Sequence, residues 1–135
     1  MSVVWQRANG GGGYVNGRRN EMFPAARVGA ATGYALVEVY KSGPDSVPAS
    51  KLWLTLDTSG AAVTIAVADG GARAASFSYS VSPSRLTYST PTTKATGLDV
   101  PVLASGQKVL LAVRRTLTGA TPATPETNSL NLATV

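Results

Sequence analysis

From Gly33 onward, apolar and polar residues alternate along much of the chain with a period of two. Leu52, Leu54 and Leu56 are separated by Trp53 and Thr55, and Val63, Ile65 and Val67 by Thr64 and Ala66. Successive side chains of an extended strand point to opposite faces, so this pattern predicts strands with one buried face. Residues 34–40 are rich in β-formers and predict a strand ended by the turn residues Ser42-Gly43-Pro44-Asp45. Phe77 with Tyr79, and Leu86 with Tyr88, predict shorter ones. The strongest lies at 108–117, with Val109, Leu111 and Val113 on one face and Leu110, Ala112 and Arg114 on the other. Leu130 and Leu132 predict a last strand. The segments around Leu54 and Ile65, joined by Asp57-Thr58-Ser59-Gly60, predict a hairpin. Helical spacing of apolar residues is nowhere sustained.

These elements predict an all-β fold: a single antiparallel β-sandwich of about 7–8 short strands. At 135 residues the chain is long enough for one core without disulfide staples. Residues 29–135 are expected to form that domain. Before it, Gly10 to Gly13 and Asn16-Gly17 interrupt any regular element. Residues 1–28 are therefore expected to form an extended Gly-rich N-terminal arm. Large aromatics are frequent interface hot spots, so Trp5 is expected to anchor the arm on a partner or on the domain.

Composition narrows the chemistry. The chain has no Cys and no His, which excludes thiol nucleophiles, disulfides, Cys/His zinc sites and imidazole bases. The glycines of the arm lack a following Gly-Lys-Ser/Thr, so they form no phosphate-binding P-loop. Of the acids, Asp45, Asp57, Asp69 and Asp99 stand singly in turns, where Asp satisfies nearby backbone amides. No Asp-x-Asp-x-Asp-Gly calcium loop occurs. A serine nucleophile would need Lys41, Lys51, Lys94 or Lys108 as its base. No catalytic residue, metal site or cofactor is expected.

Net charge is +5, and Arg7, Arg18, Arg19 and Arg27 meet only Glu21 in the first 27 residues. No nucleic-acid motif accompanies these arginines, so they are expected to pair with acidic protein surface and not with nucleic acid. Trp5, Arg7, Arg18 and Arg19 are the candidate partner-binding residues of the arm. Trp53 lies opposite the leucine face of its strand and is a candidate ligand or interface aromatic. The start carries no signal-peptide pattern and no apolar run is long enough for a membrane span, so cytoplasmic synthesis without a membrane partner is expected.

The C-terminal half adds a family signal. Ser89-Thr90-Pro91, Ala95-Thr96-Gly97-Leu98, Leu103-Ala104-Ser105-Gly106-Gln107, Val113-Arg114-Arg115-Thr116 and Gly119-Ala120-Thr121-Pro122-Ala123 follow one another in this order. The succession resembles a pattern of tailed-bacteriophage structural proteins, of the β-sandwich capsid-decoration and tail-fibre type. Leu110-Leu111-Ala112 departs from it, since the pattern places an aromatic near the arginines. The resemblance implies a non-enzymatic virion component, made in the host cytoplasm, that is homo-oligomeric within the particle and binds other capsid or tail subunits. Capsid decoration is the first expectation. The alternative is a tail, baseplate or fibre component, including a carbohydrate-binding surface module built on Trp53.

Overall fold

The computed structural model describes residues 3–7, 11–15, 18–20, 33–56, 61–117 and 129–135. Among them are nine strands and no α-helix: β1 (Val3–Arg7), β2 (Gly11–Val15), β3 (Arg18–Asn20), β4 (Gly33–Lys41), β5 (Ser50–Thr55), β6 (Ala61–Ala74), β7 (Leu98–Val100), β8 (Gln107–Leu117) and β9 (Ser129–Thr134). They form two antiparallel sheets, one ordered β2-β1-β4-β8-β6 and the other β3-β9-β5-β7. The fold is all-β, as the alternation predicts.

The inward rows are those of the sequence pattern. Val37 and Val39 of β4, Val63 and Ile65 of β6, and Val109, Leu111 and Val113 of β8 line one sheet. Leu52 and Leu54 of β5, Val100 of β7, and Leu130 and Leu132 of β9 line the other. Each such side chain contributes about 1.5–3 kcal/mol on leaving water, so the stacking follows from the rows themselves.

The expected hairpin between β5 and β6 is not formed. β5 pairs with β7 and β9, whereas β6 pairs with β8. The two leucine and valine rows therefore belong to opposite sheets. Alternation specifies that each strand has one buried face; it does not specify which neighbour supplies the hydrogen bonds.

Within the stretch read as an arm, β1 pairs with β4 and β2, and β3 pairs with β9. Val3 is fully buried in the core cluster. These stretches are extended, and they extend along the sandwich. The remaining residues of 1–28 lie outside the described residues.

Two further departures shape the surface. β6 runs on past the turn-forming Asp69-Gly70-Gly71, through register shifts between Val67 and Asp69 and between Asp69 and Arg73. Residues 75–97, with the two predicted aromatic strands, are irregular apart from a 3-10 turn at Pro83–Arg85. This segment stitches the sheets together. Ser89 exchanges two backbone hydrogen bonds with Ile65 of β6, and the Pro91 carbonyl accepts one from Leu54 of β5.

Candidate interaction surfaces

Three surfaces bear on function: the outer face of each sheet and the described strands of the N-terminal stretch. On the five-stranded sheet, Leu110 and Ala112 of β8 are fully buried although they point away from the core. The irregular segment after β6 lies over this face, its Tyr79 reaching Lys108 and its Tyr88 reaching Arg114. The sandwich thus has a partial third layer.

Beneath that layer lies an ion pair. Lys108 Nζ donates to Glu38 Oε2 at 2.9 Å, with side-chain exposures of 2% and 0%. The Tyr79 ring stands 5.2 Å from the ammonium, and its hydroxyl donates to the Lys108 carbonyl at 3.3 Å. Burial pushes the Tyr79 hydroxyl up to about 12, helped by the negative charges of Asp69 and Glu38 and opposed by Arg73. Phe77 meets Tyr79 edge to face at 5.2 Å, and Arg73 lies over Phe77 at 4.9 Å. Arg73 also binds Asp69 at 3.2 Å. The Gly71 N–H, donating to Asp69 Oδ1, and then Arg73 hold that carboxyl below the usual carboxylate range.

At the other end of this face the register places Tyr34 of β4 and Thr64 of β6 on either side of Arg114. Arg114 Nε donates to Thr64 Oγ1 at 3.1 Å, and its guanidinium lies 4.7 Å from the centre of the Tyr88 ring. Tyr34 and Tyr88 are 6.0 Å apart. Burial raises the Tyr88 hydroxyl, the neighbouring Tyr34 adds to the rise, and Arg114 opposes it. Arg115, the next residue, points the other way and is buried. The alternation predicts this division of the two arginines. The Tyr34–Arg114–Tyr88 grouping was not legible, since nothing in the sequence shows which strands flank β8.

On the outer face of the four-stranded sheet, Trp53 is half-buried. Its cross-strand neighbour is Asn131, which donates to Thr55 Oγ1 at 2.9 Å and more weakly to the Trp53 carbonyl. Lys51 binds Asp99 at 2.5 Å one position along. On the β7 side the chain passes Trp53 as Gly97, whose missing Cβ would stand 2.9 Å from the Leu52 carbonyl oxygen.

Of the arm candidates, the backbone of Trp5 stands opposite Val39, Arg7 opposite Val37, Arg18 opposite Asn131 and Arg19 opposite Leu130. Their side chains lie outside the described residues. The four are not brought together: Trp5 and Arg7 belong to one sheet, Arg18 and Arg19 to the other.

Neither a family model, nor a curated protein, nor a solved structure matches the chain.

The residues that carry the phage resemblance have physical roles in the fold. Gly106 adopts φ +79°, a left-handed conformation that favours glycine. Gln107 closes the same turn, its Oε1 accepting from the Ala104 N–H at 2.9 Å. Leu103 of this turn exchanges hydrogen bonds with Val47 and is buried. Three of the four lysines considered as bases are held by acids: Lys41 by Asp45, Lys51 by Asp99 and Lys108 by Glu38. A Ser-x-x-Lys spacing occurs at Ser105 and Lys108. Its two ends are engaged elsewhere, Ser105 with the Gly43 carbonyl and Lys108 with Glu38.

Proposed function

We propose that this protein is a non-enzymatic structural component of a tailed-phage virion, a β-sandwich that binds neighbouring subunits, with capsid decoration as its first assignment. The observation that carries the reading is the use to which the resembling residues are put. Ser89 to Pro91 links the two sheets, Gly97 permits the close approach of β7, and Gly106 with Gln107 shapes the turn into β8. A shared pattern made of folding devices supports a shared scaffold. The arginines of β1 and β3 then offer positive charge to acidic neighbours.

Because Val3 and β1 belong to the sandwich, removing the first 20 residues would damage the fold as well as any grip on a partner. The cleaner test reverses charge at Arg18 and Arg19 in the full chain and measures incorporation into purified particles by quantitative mass spectrometry. The wild type is expected in multiple copies per particle, and Arg18→Glu/Arg19→Glu at a small fraction of that. Absence of the wild type from particles would overturn the assignment; undiminished incorporation of the variant would remove the arginines from it.

The partial exposure of Trp53 on the outer face of its sheet favours one second reading, a carbohydrate platform on the particle surface. Its test is a glycan array read with wild type and Trp53→Ala. Binding lost in the variant supports it, and silence across the array refutes it.

A further inference from the structure

The arginine of the Tyr34–Tyr88 group is held in place more firmly than it is used. Arg114 is half-buried, its Nε is bound to Thr64 Oγ1 and its guanidinium carbon lies over the Tyr88 ring. These two contacts fix the guanidinium and leave its two terminal nitrogens without a hydrogen bond among the described residues. An arginine fork in that state matches a carboxylate, which it binds through two parallel N–H donors. Tyr34 beside it is 39% exposed, and exposed Arg85 sits on the 3-10 turn packed against β4.

The charges of the rest of the molecule indicate what would fill the fork. Every acid among the described residues already binds a lysine or arginine of this chain: Glu38 with Lys108, Asp45 with Lys41, Asp69 with Arg73 and Asp99 with Lys51. Arg114 is anchored by Thr64 and lies over the Tyr88 ring, with no acid beside it among the described residues. A fixed arginine flanked by tyrosines has the composition of a protein-interface hot spot.

We infer that the Arg114 fork, with Tyr34 and Tyr88, is a docking site for an Asp or Glu side chain on an acidic segment of a different protein. The site is built on β8, not on β1 or β3, and it does not depend on that protein being a virion subunit. Preorganisation by Thr64 and Tyr88 means that little side-chain freedom is lost on binding.

The test uses the full chain and two labelled peptides, one of Glu-Ser-Gly repeats and one with every Glu replaced by Gln. Titration followed by amide and arginine-side-chain NMR is expected to shift Tyr34, Thr64, Tyr88 and Arg114 with the Glu peptide only. Arg114→Gln is expected to weaken that binding at least tenfold, and Lys94→Gln, on the turn before β7, less than twofold. Tyr34→Ala, at an exposed position, serves as a second site variant should Arg114→Gln disturb folding, and a several-fold loss is expected from it. Equal binding of the Gln peptide would overturn the proposal. So would equal losses from Arg114→Gln and Lys94→Gln, which would mean general charge attraction. Tighter, Arg114-dependent binding of an oligothymidylate would overturn it in favour of a nucleic-acid site.

Discussion

Lys108→Met would leave the Glu38 carboxylate under the Tyr79 layer without its ammonium. At 2.9 Å, and with an effective dielectric near 20, two unit charges attract by about 6 kcal/mol. Taking the ions out of water costs several kcal/mol each, so the intact pair contributes little net stability. A single substitution forfeits the attraction and keeps the desolvation of the remaining ion, an expected loss of about 3–5 kcal/mol. That is a large part of the roughly 5–15 kcal/mol that holds a domain folded. Glu38→Leu/Lys108→Met removes both costs together and is expected to come within about 1 kcal/mol of the wild type, or above it. Equilibrium urea unfolding followed by tryptophan fluorescence gives the three free energies from midpoint and slope. A single variant that loses under about 1 kcal/mol would refute the reasoning. A double variant as unstable as Lys108→Met alone would refute it equally.

Tyr79 gives a pH signature. Its native pKa is raised to about 12, so between its ordinary value near 10 and that point the native state keeps a proton that the unfolded chain has released. The stability it contributes is complete below about pH 10 and is lost as pH rises through about 12; Tyr79→Phe should remove that part of the slope in alkaline unfolding curves. Gly97→Ala places a Cβ 2.9 Å from the Leu52 carbonyl oxygen and 3.1 Å from that of Lys94, both backbone atoms. A loss of about 1–3 kcal/mol is expected in the same urea assay. Gly106→Ala meets no atom within 4 Å but must hold φ at +79°, and about 1–2 kcal/mol is expected. Gly106→Asn should recover part of it, because Asn tolerates that region.

The strands whose rows face the core were legible because a period of two is a local property. β4, β5, β8 and β9 fall where Tyr34 to Tyr40, the leucines at 52 and 54, Val109 to Val113 and the leucines at 130 and 132 place them. Pairing was not legible, since β5 and β6 are sequence neighbours yet lie in different sheets. The third layer escaped for a related reason. Phe77, Tyr79 and Tyr88 have strand-like spacing, but they cover the outer face of β8 instead of pairing along it. Glu38 and Lys108 are 70 residues apart, and nothing local to either shows that the two charges meet. Arg114 was placed on the correct face by alternation, whereas Tyr34 and Tyr88 join it only through the register of β4 with β8 and the path of the covering segment.

Cryo-electron microscopy of purified particles tests most directly whether this sandwich serves as a subunit-binding part of a virion. Two-sheet density fitting this chain, repeated over the particle and touching an adjacent polypeptide, is the expected result. Particles that carry no such density, from a source in which the chain is abundantly made, would contradict it.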